Sequence, residues 1–126
     1  MDFRYMCPKY EKTVELLGKR WTGLILRSFM EGPRRCTEIK AYVEGLSDRL
    51  LSERLRELEE AGIVERRVHA QRPVLVEYAL TQKGADLRRV VKAIQAWADQ
   101  WEQIPEETPQ MVEAAGRGAK VRDPRR

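Results

Sequence analysis

Four polar residues, Arg49, Ser52, Glu53 and Arg56, recur at a spacing that places them on one side of a helix. Two guanidiniums with a hydroxyl and a carboxylate between them suit the edges of base pairs in a major groove. Arginine forks onto guanine O6 and N7, and glutamate accepts from cytosine N4. The same face also suits a plain solvated amphipathic helix. The chain has two cysteines, Cys7 and Cys36. Arg4 and Lys9 flank Cys7, and cations beside a thiol favour its nucleophilic thiolate. His69 is the one histidine, far along the chain from both cysteines, so neither a zinc site nor a thiol enzyme with a histidine base is expected. With no CxxC and no Gly-rich phosphate loop, the chain carries no cofactor motif, and the expectation is a non-enzymatic protein without cofactor or metal.

The elements that must hold these groups read as follows. Ser47 is a good N-cap, Asp48 puts negative charge at the positive end of the helix dipole, and Leu51, Leu55 and Leu58 form an apolar stripe. The helix spans Ser47–Ala61, and Gly62 supplies the left-handed residue that ends it. Upstream, Tyr10, Val14 and Leu17 mark a first helix, interrupted at Gly18-Lys19-Arg20. Trp21, Leu24, Ile25 and Phe29 mark a second, stopped at Gly32-Pro33. Cys36 to Val43 is a short third helix with Ile39 and either Tyr42 or Val43 turned inward, ended by Gly45. Helix, short turn, helix is the helix-turn-helix arrangement, in which the second helix enters the groove.

Ile63–Ala70 and Val74–Leu80 are strand candidates joined by Gln71-Arg72-Pro73, a hairpin that forms a wing with Gln71 and Arg72 at its tip. Thr81 can cap one long following helix, on which Leu87, Val91, Ile94, Ala98 and Trp101 share a face beside Trp97. A small domain does not need two tryptophans there for its own core. The expectation is a homodimer interface through Leu87, Val91, Ile94, Trp97 and Trp101, with the first helix contributing. The fold class is mainly α with a small β-hairpin wing, a winged helix-turn-helix.

The 126 residues bound one domain of modest core, set at 1–104, with 105–126 as a flexible charged tail that solubilises the chain or touches DNA nonspecifically. A net charge of +4 and a pI near 9.3 permit a polyanion partner. No apolar run reaches the roughly 20 residues of a membrane span, and the N-terminus lacks a signal-peptide core, so a cytoplasmic location without membrane attachment is expected.

Several spaced motifs resemble the HxlR-type transcriptional regulators. They are Cys7-Pro8, Leu17-Gly18-Lys19-Arg20-Trp21-Thr22 with Ile25-Leu26, and Arg35-Cys36-Thr37-Glu38-Ile39. Further on come Leu51 and Leu55 with Leu58-Glu59-Glu60-Ala61-Gly62-Ile63-Val64-Glu65-Arg66, then Val76-Glu77-Tyr78-Ala79-Leu80-Thr81 with Gly84, and finally Trp97. The resemblance spans about residues 7–101. It implies a dimeric winged-helix DNA-binding regulator of MarR-like architecture, and a response to electrophiles or oxidants through a cysteine near the N-terminus, a role that maps onto Cys7. The chain departs from the family at Cys36, where an aromatic is usual. Cys36 is then either a buried small hydrophobe or a second thiol.

On this reading, each subunit inserts Ser47–Ala61 into a major groove of a pseudo-palindromic operator in double-stranded DNA. Arg49 and Arg56 meet guanine or phosphate, Ser52 and Glu53 contact bases, and Ser47 sits by a phosphate. Arg35 and the wing residues Gln71 and Arg72 hold the backbone, and Arg54, beside the leucine stripe, serves packing or an ion pair. The competing readings are a winged-helix protein-interaction module without DNA binding, and a regulator with a non-thiol effector.

Overall fold

The computed structural model describes residues 1–105. The chain forms α1 (Pro8–Leu17), α2 (Thr22–Ser28), α3 (Cys36–Tyr42), α4 (Asp48–Glu60), β1 (Val64–His69), β2 (Leu75–Leu80), α5 (Gln82–Ala85) and α6 (Arg88–Trp101). This is the expected helical array with a hairpin wing. The tail expected from residue 105 onward lies, past Pro105, outside the described residues.

The core gathers where α2, α3 and α4 meet. Ile25 and Phe29 from α2 and its end, Ile39 from α3, and Leu51, Leu55 and Leu58 from α4 are almost fully buried, and Val64 closes the cluster from β1. Of the two inward candidates after Ile39, Val43 takes the core position and Tyr42 stays half exposed. The local punctuation works as its chemistry requires. Ser47 Oγ accepts from the Leu50 amide at 3.1 Å, satisfying one orphan donor of α4. Gly62 has φ +76°, the left-handed conformation that turns α4 into β1.

β1 and β2 pair antiparallel, with Val64 opposite Leu80 and His69 opposite Leu75. The wing also takes a one-residue third strand. The Arg34 amide donates to the Tyr78 carbonyl at 2.9 Å, and the Arg34 carbonyl accepts from the Tyr78 amide at 2.8 Å. The segment after Gly32-Pro33 reads as a loop in sequence, because a single bridging residue leaves no alternation to detect.

The single long helix expected after Thr81 is two helices. Thr81 does cap, with Oγ1 accepting from the Gly84 amide at 3.1 Å. Leu87 then bonds back to Gly84 at 2.9 Å, an i→i−3 turn tighter than an α-helix, and α6 starts afresh from it. The cause is tertiary: Gly84 is buried against Ile63, which leads into β1, while Leu87 packs on the core. The chain must turn to satisfy both.

Candidate nucleic-acid interface

With its leucines buried, α4 turns Arg49, Ser52 and Arg56 outward, all exposed. The side chain of Arg49 is 87% exposed and its Nε lies 3.5 Å from Glu53 Oε2. Glu53 also faces the Arg54 guanidinium at 3.8 Å. The carboxylate assigned to cytosine is therefore shared between two arginines of its own helix. Asp48 bonds Lys40 Nζ at 2.7 Å and ties the start of α4 to α3. Ser47 is exposed, with its hydroxyl committed to the cap.

Arg35 is exposed at the start of α3. Its amide donates to Glu38 Oε1 at 2.8 Å and its guanidinium lies 3.5 Å from the same carboxylate. Gln71 and Arg72 are exposed at the wing tip, and the Arg72–Pro73 peptide is cis. Along the wing, Arg67 pairs with Glu65 at 2.8 Å and His69 Nε2 meets Glu77 Oε1 at 2.9 Å. The described part of this face thus brings together the outward side of α4, the start of α3 and the wing. One basic residue on it, Arg66, is exposed on β1 near Cys36 and Tyr78, while Arg67, next along the strand, turns to the other side with Glu65, and both stand beyond the residues chosen from sequence. An Arg-Arg pair inside a strand was their available signal.

Both cysteines are free and exposed. Cys36 does not bury itself as a core hydrophobe. It opens α3, exposed as a residue but with its thiol partly covered; that partial burial raises the pKa, the Asp48 carboxylate adds to the rise, and Arg66 opposes it. The Tyr78 hydroxyl is likewise pushed up, first by burial and then by Cys36 and Glu59, against Arg66. Cys7 is the N-cap residue of α1, its carbonyl accepting from the Glu11 amide at 2.9 Å. Neighbouring Arg4 is turned to Asp2, at 3.1 Å, rather than standing free beside the thiol.

A separate apolar surface lies on α1 and α6. Neither helix buries a residue. Ile94, Trp97 and Trp101 are each at least 60% exposed, and Tyr10 and Val14 of α1 are exposed too. Leu87 and Val91 are half buried on the core, so of the five expected interface residues these two also serve the monomer. An apolar groove of about 270 Å³ runs between α2 and α6, lined by Trp21, Leu24, Val90, Val91 and Ile94 with Arg27 at its polar edge. Arg27 is occupied there, its Nε donating to Gln95 Oε1 at 3.1 Å and its Nη1 to the Tyr42 hydroxyl. Among the described residues no group of His, Cys, Asp and Glu could hold a metal ion, and no helix is long and apolar enough to cross a membrane.

Residues 16–106 match the profile of the HxlR-like helix-turn-helix family. The chain is 51% identical over 96 residues to the HTH-type transcriptional regulator YodB of Bacillus subtilis (strain 168), a match covering 76% of this chain and 86% of that protein. The structure of the reduced form of YodB from B. subtilis superposes with a TM-score of 0.70 at 48% identity, covering 82% of this chain and all of that one. The redox regulator HypR in its oxidized form superposes with a TM-score of 0.72 at 34% identity, covering 78% of this chain and all of that one.

Proposed function

Since the chain belongs to the HxlR-like helix-turn-helix family of transcriptional regulators, we propose that it acts as a cytoplasmic homodimer that reads a pseudo-palindromic operator in double-stranded DNA and changes its grip when Cys7 is oxidised or alkylated. The observation that carries the DNA reading is the outward face of α4. Arg49, Ser52 and Arg56 stand exposed on a helix anchored by three buried leucines, between a short preceding helix and a wing.

In this mechanism Arg49 and Arg56 reach guanine edges or phosphates, since a guanidinium fork suits both. Ser52 contacts a base. Glu53, held between Arg49 and Arg54, orients Arg49 more than it reads cytosine. Ser47, Arg35, Gln71 and Arg72 meet the phosphate backbone, joined from β1 by Arg66. The homodimer forms through the exposed faces of α6 and α1, with Ile94, Trp97 and Trp101 at its centre. No turnover is assigned to the chain.

The redox part rests on an exposed thiol at the start of α1, the helix that also presents Tyr10 and Val14. The likeness to a regulator solved in its reduced form and to a redox regulator solved in its oxidized form supports that part. Adding bulk or a disulfide at Cys7 shifts the dimer and so the spacing of the two α4 helices.

The test is fluorescence anisotropy on DNA from upstream of the protein's own gene, at two salt concentrations, reduced and after a thiol oxidant, with Cys7→Ser alongside. Tight, salt-dependent binding that oxidation changes only when Cys7 is present is the expected result. Binding indifferent to oxidant leaves a regulator with a non-thiol effector. Binding no better than to random DNA, together with a salt-insensitive protein complex, replaces DNA reading with a protein-interaction role.

A further inference from the structure

Arg54 lies on the same helix as Arg49 but does something different. Its side chain is 15% exposed. Its Nε donates to the backbone carbonyl of Arg20 at 2.9 Å, and its Nη1 lies 3.5 Å from Glu57 Oε1 and 3.8 Å from Glu53 Oε1. Glu57 extends the link to Lys19 Nζ at 3.0 Å. The turn between α1 and α2 is thus fastened to the middle of α4 at two points, Lys19 and Arg20.

That turn is not an ordinary loop. It closes through the Gly18 amide bonded to Val14 at 2.7 Å and the Thr22 amide bonded to Lys19 at 3.1 Å. It ends at Trp21, which holds φ +81°, a left-handed conformation rare for an aromatic residue. The indole is buried under the Arg20 guanidinium, 4.7 Å from the ring centroid, and lines the groove against α6. On the other side, Glu53 takes the Arg49 guanidinium. A continuous series of contacts, Lys19–Glu57–Arg54–Glu53–Arg49, therefore runs from the turn to the DNA-facing surface.

We propose that Arg54 is a positioning residue that fixes the angle of α4 against the α1–α2 turn and so sets which half-site separation the homodimer accepts. This rests on the reading of the chain as a dimeric DNA-binding regulator. An exposed ion pair holds no geometry well. A covered guanidinium does, because its donors leave one plane in fixed directions and here meet a carbonyl and the Glu57 carboxylate at once, with the Glu53 carboxylate beside them at ion-pair distance. Lysine brings one point charge and cannot serve all three. Two α4 helices must enter major grooves about one helical turn apart, so freedom in the angle of each relaxes the separation they tolerate.

The test uses Arg54→Lys and Glu57→Gln in the full chain. The wild type first selects its operator from random duplex DNA, and affinity is then measured as the half-site separation is changed by one base pair. The wild type is expected to lose roughly tenfold or more on that change and both variants less than about threefold, with affinity for random DNA and the salt slope unaltered in the charge-conserving Arg54→Lys. Amide exchange at Lys19 and Thr22 should accelerate in both variants while that of buried Ile39 does not. Variants that keep the full spacing penalty, or that lose affinity equally on every DNA, overturn the proposal. A wild type that selects no DNA overturns the DNA reading and with it the spacing role, whereas unchanged exchange in the turn overturns the fastening itself.

Discussion

A Cβ placed on Gly84 would lie 2.0 Å from the carbonyl oxygen of Ile63. The contact is backbone on backbone, so no side chain can swing away to relieve it. Thr81 reinforces it, its hydroxyl donating to the Gly62 carbonyl at 2.6 Å. Gly84→Ala must push α5 off the start of β1 and is expected to cost at least about 1–3 kcal/mol. For a domain of this size each kilocalorie lowers the melting temperature by roughly 4–8 °C. An unchanged melting temperature by circular dichroism would show that the two backbones have room to separate.

Arg49 and Glu53 make opposite predictions on DNA. Arg49→Ala should lose about 1–3 kcal/mol on the operator and relax the preference at one base pair. Glu53→Gln removes a negative charge from the reading face and frees Arg49, so it should tighten binding at low salt, with the gain fading as salt rises. A loss of operator affinity in Glu53→Gln would mean that the carboxylate aids binding, by reading cytosine if the loss is confined to one base pair and by orienting Arg49 if it matches that of Arg49→Ala.

Arg72 stands exposed at the tip of the wing. Arg72→Ala should weaken binding by a similar factor on every sequence and reduce the slope of log affinity against log salt by about 1. A sequence-dependent loss measured across operator variants would make Arg72 a reader of the minor groove.

The fold holds the Cys36 thiol back from ionising. Burial and Asp48 both raise the Cys36 pKa, so less of it is thiolate at neutral pH than in an unperturbed thiol. Asp48→Asn removes the carboxylate's share of that rise and should speed alkylation of Cys36 by iodoacetamide at fixed pH, followed by mass spectrometry in a Cys7→Ser background. The rate should climb with pH until the thiol's pKa is passed. An Asp48→Asn rate equal to or below the parent's would place the cause of the shift elsewhere.

Ile94 is 63% exposed on a helix that has no fully buried residue and reaches the core through Val91. Ile94→Glu should leave far-UV circular dichroism intact at high concentration while converting a sedimenting dimer into monomer. A dimer that survives both Ile94→Glu and Trp97→Glu would move the interface off α6.

Much of this was legible in local chemistry. Ser47, the three leucines of α4, Gly62 and Thr81 each act through neighbours a few residues away, so spacing alone declares them. Trp97 and Trp101 were legible for the opposite reason: they are too large for the core the rest of the chain can offer. What escaped was set at a distance. Arg34 joins the wing only because Tyr78 comes beside it, and the helix after Thr81 breaks only because Gly84 meets Ile63. Arg54 was visible as a residue beside the leucine stripe, but its partner is a backbone carbonyl 34 positions earlier, a group every residue has and no sequence pattern marks. At Glu53 the residue type suggested a reader, and the helix itself supplied the cations that occupy it.

A fourteen-residue helix without one buried residue has a further meaning. Val91 gives α6 a foothold on the core, but in the proposed dimer Ile94, Trp97 and Trp101 gain burial only when a second copy arrives, which would tie the protein's stability to how much of it is present. Dilution would then do more than separate subunits: it would return two tryptophans per chain to water. Abundance would be an input to the regulator alongside any effector, with a thermal midpoint that rises with its own concentration.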